Sequence, residues 1–196
     1  IKKVKPDIVL VHGDTSTTFA TALACFYLKI PVGHVEAGLR TYNIDSPFPE
    51  EFNRQAVGIV AKYNFAPTEK AKENLIKEGK KADTIYVTGN TAIDALKTTI
   101  KDNYYHKEFD WIGNSKLILI TAHRRENIGK PMHNMFRAIR RIVEEYSNIR
   151  VIYPIHMNPA VRQIASEELG NCENIHIIEP LDVIDFHNFM KKSYLI

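Results

Sequence analysis

Cysteine is scarce in this sequence, two in 196 residues, and the two have no paired spacing: Cys25 lies in an apolar helical run and Cys172 in a turn-like stretch. Such usage excludes a disulfide framework and a thiolate zinc site, and fits a reducing compartment. Glycine-rich nucleotide loops are missing too. No Gly-x-Gly-x-x-Gly run follows a strand-like segment and no Gly-Lys-Ser/Thr loop occurs. Nicotinamide-dependent and simple nucleotide-hydrolase chemistry therefore lack their binding element. The eight histidines show no His-Glu-x-x-His spacing, and no serine stands in a nucleophile-elbow setting. No apolar run approaches a membrane span, and no secretory signal is visible. The net charge of +3 comes from scattered lysines and arginines, which excludes a nucleic-acid footprint. What remains is acid–base chemistry by carboxylates in a cytoplasmic protein, with no metal, no cofactor, no nucleic acid and no membrane partner.

What is present is ordinary in bulk and ordered in detail. Hydrophobic residues make up 44% and charged residues 25%, as in soluble globular chains. Strand-like segments fall at 7–11, 31–35, 63–66, 84–88, 116–121, 149–155 and 174–178, with a stub at 194–196. Helical segments fall between them at 15–28, 50–61, 68–78, 91–100, 132–146, 159–168 and 182–192. This alternation predicts an α/β fold with parallel sheets, helices covering them and right-handed crossovers. The rhythm breaks between Lys101 and Ser115, a polar and aromatic stretch ending in Gly113-Asn114-Ser115. A boundary is expected there, dividing the chain into 1–102, a linker 103–115, and 116–196. The chain opens at Ile1 and closes on the apolar Tyr194-Leu195-Ile196, and is expected to be the middle of something longer.

Four ionisable residues stand where strand-like runs give way to turns or helix starts. Asp14 follows Ile8-Val9-Leu10-Val11 through His12-Gly13, and Glu36 follows Pro31-Val32-Gly33-His34-Val35. Glu50 follows Ser46-Pro47-Phe48-Pro49, and His123 follows Leu117-Ile118-Leu119-Ile120-Thr121. In open α/β sheets the crevice beyond the carboxyl ends of the strands is where ligands collect. Simpler readings stand beside this one. Asp14 would equally serve as the N-cap of the next helix, and Glu50 and Glu51 suit a first helical turn behind Pro49. A lone His after a strand is commonly structural. In Thr121-Ala122-His123-Arg124-Arg125-Glu126-Asn127, two guanidiniums beside an imidazole suit a phosphorylated ligand or, alternatively, a basic loop pairing with Glu126.

Six motifs in order resemble the non-hydrolysing UDP-N-acetylglucosamine 2-epimerases. They are Val11-His12-Gly13-Asp14-Thr15, Gly33-His34-Val35-Glu36-Ala37-Gly38-Leu39-Arg40-Thr41, Pro47-Phe48-Pro49-Glu50-Glu51-Phe52-Asn53-Arg54, Thr88-Gly89-Asn90-Thr91, the 121–127 segment, and Tyr153-Pro154-Ile155-His156-Met157-Asn158-Pro159. Ala122 stands where other members have Gly. The resemblance covers the whole chain and implies two Rossmann-like domains in a GT-B arrangement, both incomplete here, with substrate in the interdomain cleft. The family's Gly-Thr-Arg-Pro-Glu and Asp-Ser-Gly-Gly-x-x-Glu-Glu segments are not in the sequence.

The implied reaction inverts C2 of UDP-GlcNAc to give UDP-ManNAc, by elimination of UDP to 2-acetamidoglucal and its re-addition. Carried over residue by residue, the resemblance makes Asp14 and Glu50 the groups that remove and return protons at C2. Glu36 becomes a third acid–base or hydroxyl-binding carboxylate, and His123 the group that stabilises or protonates departing UDP. Arg54, one helical turn after Glu50, touches a phosphate or orients that carboxylate. Arg124 binds substrate, Phe186 contacts uracil, and Arg124 with His156 belongs to a site where a second UDP-GlcNAc acts as allosteric activator. A homodimer is implied for the full-length protein. The alternatives are a GT-B glycosyltransferase, a hydrolysing relative, and a non-catalytic nucleotide-sugar-binding fragment.

Overall fold

A computed structural model describes residues 1–196, the side chain of Arg125 excepted. The chain forms two compact units, Ile1–Asp94 and Ala95–Ile196. The first contains β1 (Val9–His12), α1 (Ser16–Tyr27), β2 (Val32–Val35), α2 (Glu50–Val60), β3 (Tyr63–Ala66), α3 (Glu69–Lys77) and β4 (Ile85–Val87). Helix α4 (Thr91–Thr99) spans the division. The second contains α5 (Lys107–Ile112), β5 (Lys116–Leu119), α6 (Lys130–Glu145), β6 (Ile149–Pro154), α7 (Pro159–Leu169), β7 (Ile175–Ile178) and α8 (Val183–Lys192). Both sheets are parallel, in the orders β1-β2-β3-β4 and β5-β6-β7, as the strand–helix alternation predicts. Leu195, in the expected 194–196 stub, makes a parallel bridge to Ile118.

Local chemistry accounts for the helix starts. Thr15, Thr68, Asn158 and Asp182 each cap a helix by accepting a backbone N–H with the side chain. A cap of this kind contributes roughly 1 kcal/mol. Because Thr15 is the cap of α1, the reading of Asp14 as that cap is excluded. Helix α5 lies in the stretch that breaks the sequence rhythm, capped by His106 and ended by Gly113 at φ +53°. Six residues are too few to show a helical period, so the sequence gives no sign of it. Its Ile112 is nonetheless buried with Leu117, Leu119, Ile152 and Phe189.

The second sheet is packed on both faces. Leu117, Leu119 and Ile152 face the α5 and α8 side, whereas Val151 and Tyr153 join Phe136, Val161 and Ala165 on the other. A central parallel strand buried on both faces reads as a continuous apolar run, which β6 does. The first sheet buries Val11 and Val32 against Ala22, Cys25 and Val57, while Ile8, Leu10 and Tyr86 are exposed. Among the described residues no helix is long and apolar enough to cross a membrane.

Candidate active site

In the first unit the site is built at the carboxyl end of β1. The chain leaves β1 at Gly13 with φ +70°, a left-handed conformation that glycine adopts without steric cost. A Cβ placed on Gly13 would lie 3.4 Å from Glu36 Oε2, so the Glu36 carboxylate faces the turn that carries Asp14. Glu36 itself is left-handed at φ +67°, a backbone strain of about 1–3 kcal/mol of the sort that collects at functional sites. Glu36 makes no hydrogen bond or ion pair among the described residues, and it lines a cavity of about 490 Å³ with Leu39, Thr68, Thr88 and Asn90.

Helix α2 is tied to the same turn, because Asn53 Nδ2 donates to the Asp14 carbonyl at 2.8 Å. Glu50 opens that helix, half-buried, and among the described residues its carboxylate has no protein partner. Glu51, its neighbour, is fully buried and committed. It accepts from Thr41 N at 3.1 Å, Tyr42 N at 3.0 Å and Gln55 Nε2 at 2.7 Å. Burial alone would raise its pKa, but these three hydrogen bonds and the Arg54 charge draw it below the usual carboxylate range. Arg54 Nε lies 2.9 Å from Glu51 Oε2 and 3.7 Å from Asp14 Oδ2. The approach to Glu51 is an ion pair without hydrogen-bond alignment, since the Nε–H has no directed acceptor. Arg54 therefore stands between Glu51 and Asp14, and its carboxylate partners are these two rather than Glu50.

Two further carbonyls of the turn are held. Thr18 Oγ1 donates to His12 O at 2.6 Å, and His34 Nε2 lies 2.8 Å from Gly13 O. A carbonyl only accepts, so Nε2 carries the hydrogen and Nδ1 is left as a buried nitrogen without a partner. Burial lowers the His34 pKa to about 4; the hydrogen bond to Gly13 offsets part of this, and the charges of Arg40 and His12 add to it.

In the second unit the chain leaves β5 through Thr121-Ala122. Tyr153, 1% exposed, donates its hydroxyl to Ala122 O at 2.5 Å. Burial pushes this phenol up to about 12, so it remains a donor across the physiological range. The next residue, His123, stacks on His156 with centroids 5.3 Å apart and planes 10° from parallel. Both line a cavity of about 330 Å³ with Thr121, Met157, Leu181 and Phe186. His156 Nδ1 accepts from Asn158 N at 3.1 Å, which places the proton of the neutral ring on Nε2. Partial burial of the ring, then repulsion from His156 and Arg124, lowers the His123 pKa below its ordinary 6.5. At neutral pH the ring is a neutral imidazole.

Asp14 and Glu36 thus meet at one turn, with Glu50 on the helix bound to it, and His123, His156 and Phe186 line one cavity. Arg124 is exposed and does not line that cavity. The side chain of Arg125, the second guanidinium of the 121–127 loop, lies outside the described residues. Among the described residues no group of three or more His, Cys, Asp or Glu is set to hold a metal. A larger cavity, about 750 Å³, lies beside β7 and is lined by Glu108 and His176 among others. These two are 2.6 Å from each other, and Trp111 stacks on the same imidazole at 3.5 Å, so the groups suited to chemistry there are already engaged. Glu51, His34, Asn53 and Tyr153 are the residues that sequence reasoning did not single out. Each lies inside one of the six motifs, but its role rests on a partner from another element.

Comparison with known proteins places the chain in a family. The model of a family described as UDP-N-acetylglucosamine 2-epimerase matches residues 1–196. A UDP-N-acetylglucosamine 2-epimerase of Bacillus subtilis (strain 168) is 63% identical over 195 residues, covering 100% of this chain and 51% of that protein. The crystal structure of a UDP-GlcNAc 2-epimerase from Neisseria meningitidis bound to UDP-GlcNAc superposes with a TM-score of 0.91 at 45% identity, over 99% of this chain and 55% of that one. The Methanocaldococcus jannaschii UDP-GlcNAc 2-epimerase, in complex with UDP-GlcNAc and UDP, gives 0.80 at 35% identity over 100% of this chain and 55% of that one. The chain spans about half the length of the relatives it matches.

Proposed function

Because this chain belongs to the UDP-N-acetylglucosamine 2-epimerase family, we propose that the full-length protein interconverts UDP-GlcNAc and UDP-ManNAc by eliminating UDP and adding it back. The C2 proton is too weakly acidic for simple removal at neutral pH. In the elimination it passes to a carboxylate as the C1–O bond breaks, and the bonding pair leaves with UDP. The C1=C2 double bond of 2-acetamidoglucal forms. Return of a proton to the opposite face of C2 and re-formation of the C1–O bond complete the inversion.

The roles follow from what each group is free to do. Asp14 and Glu50 take and return the C2 proton, since Thr15 holds the helix start in place of Asp14 and Glu50 has no protein partner among the described residues. Glu36, facing the Gly13 turn, is the third acid–base or hydroxyl-binding carboxylate. Arg54, 3.7 Å from Asp14, orients that carboxylate. His123, a neutral imidazole, donates to the departing UDP, and the negative charge of the diphosphate favours its protonation as the bond breaks. Phe186, in the wall of the same cavity, contacts the uracil, and Arg124 pairs with phosphate. A second UDP-GlcNAc at Arg124 and His156 activates the enzyme, and the stack of His156 on His123 is a path by which it would be felt. The full-length protein acts as a homodimer in the cytoplasm.

The observation that carries this reading is the meeting of the Asp14 turn and the Glu36 carboxylate, neither serving as a helix cap. It is tested by running the full-length protein on UDP-GlcNAc in deuterated water. The expected result is solvent deuterium at C2 of the product, with traces of UDP and 2-acetamidoglucal. Product that keeps all of its original C2 hydrogen, with no glucal, would overturn it.

A further inference from the structure

At the carboxyl end of β1 the carbonyls of His12, Gly13 and Asp14 follow one another out of the sheet. Beyond the ladder such carbonyls need a partner, from backbone, a side chain or water. Here each meets a side-chain donor from a different element: Thr18 of α1 at 2.6 Å, His34 of β2 at 2.8 Å, and Asn53 of α2 at 2.8 Å. All three donors are buried, at 6%, 1% and 4% exposure, so water competes poorly for them. The Gly13 N–H donates in turn to Val35 O at 3.0 Å, next to Glu36.

We infer that Thr18, His34 and Asn53 are positioning residues for Asp14, fixing from three sides the turn that carries its carboxylate and that the Glu36 carboxylate faces. The inference rests on the reading of Asp14 as a group that moves the C2 proton. A helix start needs one cap and a strand end needs its ladder, and Thr15 and the Gly13 N–H already supply both. Three further donors on consecutive carbonyls go beyond what the fold requires. They suit a loop whose carboxylate must stand within a few tenths of an ångström of a reacting carbon, where a displacement of about 1 Å costs on the order of a hundredfold in rate.

The test uses the full-length protein and the variants His34→Phe, His34→Gln and Asn53→Leu. Phe keeps the ring volume and loses the donor, whereas the Gln amide puts an N–H near the place of Nε2. His34→Phe and Asn53→Leu are expected to lower kcat for UDP-GlcNAc by on the order of a hundredfold with KM unchanged, and His34→Gln to recover most of it. On an Asp14→Asn background, His34→Phe is expected to add little, because the residue it positions is already disabled. Full turnover in His34→Phe, no rescue by His34→Gln, or a full additional loss on the Asp14→Asn background would overturn the inference. Hydrogen exchange reads the clamp without reference to activity: in His34→Phe the amides of 12–15 should exchange about tenfold faster while α6 and α7 stay unchanged. Unchanged exchange at 12–15 would overturn the clamp even in an active enzyme. A wild-type protein that forms no UDP-ManNAc, yet shows the faster exchange in His34→Phe, would overturn the proposed function and leave the clamp standing.

Discussion

In the first unit a histidine on β2 holds the carbonyl of Gly13, one residue before Asp14. In the second a tyrosine on β6 holds the carbonyl of Ala122, one residue before His123. The position is the same: a buried ring on the neighbouring strand donates to the last carbonyl before the candidate reactive residue. The number of restraints and the titration of the ring differ. Three successive carbonyls are clamped around Asp14, whereas Ala122 is held by Tyr153. Burial drives His34 down to about 4 and Tyr153 up to about 12, because in both cases it disfavours the charged form. One desolvating environment thus makes the first clamp sensitive to acid and the second to alkali.

The largest effect that would break this comparison lies in the proposed reactive residues themselves. In the full-length protein Asp14→Asn and Glu50→Gln should each lower turnover by roughly a hundred- to ten-thousandfold while UDP-GlcNAc binding persists. His123→Ala should slow both glucal release and epimerisation, since in the proposed elimination both pass through cleavage of the bond to UDP. Steady-state kinetics beside a binding isotherm check all three. Turnover near wild type in Asp14→Asn would remove the reason for clamping its turn.

Next in size is the response to acid. The unfolded chain takes up a proton on His34 near its ordinary 6.5, and the folded unit resists until about 4. The unfolded state therefore binds more protons in that window. Stability contributed by this residue is present above pH 6.5 and lost as pH falls towards 4, on the order of 3 kcal/mol in all. Hydrogen exchange of α1 amides at pH 7 and pH 4 should show the loss in the wild type and a flatter profile in His34→Gln. Equal slopes would contradict the assignment of His34 as a buried neutral donor.

The alkaline counterpart belongs to the second unit. Tyr153 stays protonated in the folded state up to about 12, whereas the unfolded chain ionises it from about 10. Stability is present below pH 10 and declines as pH rises towards 12, by roughly 2–3 kcal/mol. Tyr153→Phe should flatten that decline and cost about 1 kcal/mol at neutral pH for the lost hydrogen bond. The sole tryptophan of the sequence, Trp111, is in this unit, and its fluorescence during urea unfolding follows the change.

The smallest expected effect separates caps from reactive groups. Thr15→Ala should cost about 1 kcal/mol of stability, and Asp14→Asn much less, as thermal melts of the two variants would show. The reverse order would return Asp14 to the role of helix cap.

Much of this was legible in the sequence because it depends on neighbours along the chain. Apolar runs ended by turns mark the parallel strands: β2 to β7 lie within the segments so read, and β1 runs one residue past its segment, to His12. Asp14, Glu36 and His123 follow as the ionisable residues just beyond their ends, and Glu50 as the first residue of the helix behind Pro49. What periodicity alone cannot decide is which of two adjacent residues on a helix faces inward. Glu50 and Glu51 are equivalent as first-turn carboxylates, yet Glu51 is fully buried against Thr41, Tyr42 and Gln55, and Glu50 is left without a protein partner among the described residues. Likewise, nothing near Thr15 distinguishes it from Asp14 as the cap until the backbone there is built.

The sequence by itself therefore determined the order of elements, the parallel sheets and the ends of strands where chemistry collects, since these rest on the period of the side chains and on local turn residues. Only the tertiary structure decided which of the candidate groups are left without protein partners and which side chains hold the turns that carry them. Thr18, His34, Asn53 and Tyr153 acquire their roles from carbonyls 6, 21, 39 and 31 residues away, and such pairings exist only once the strands and helices have packed.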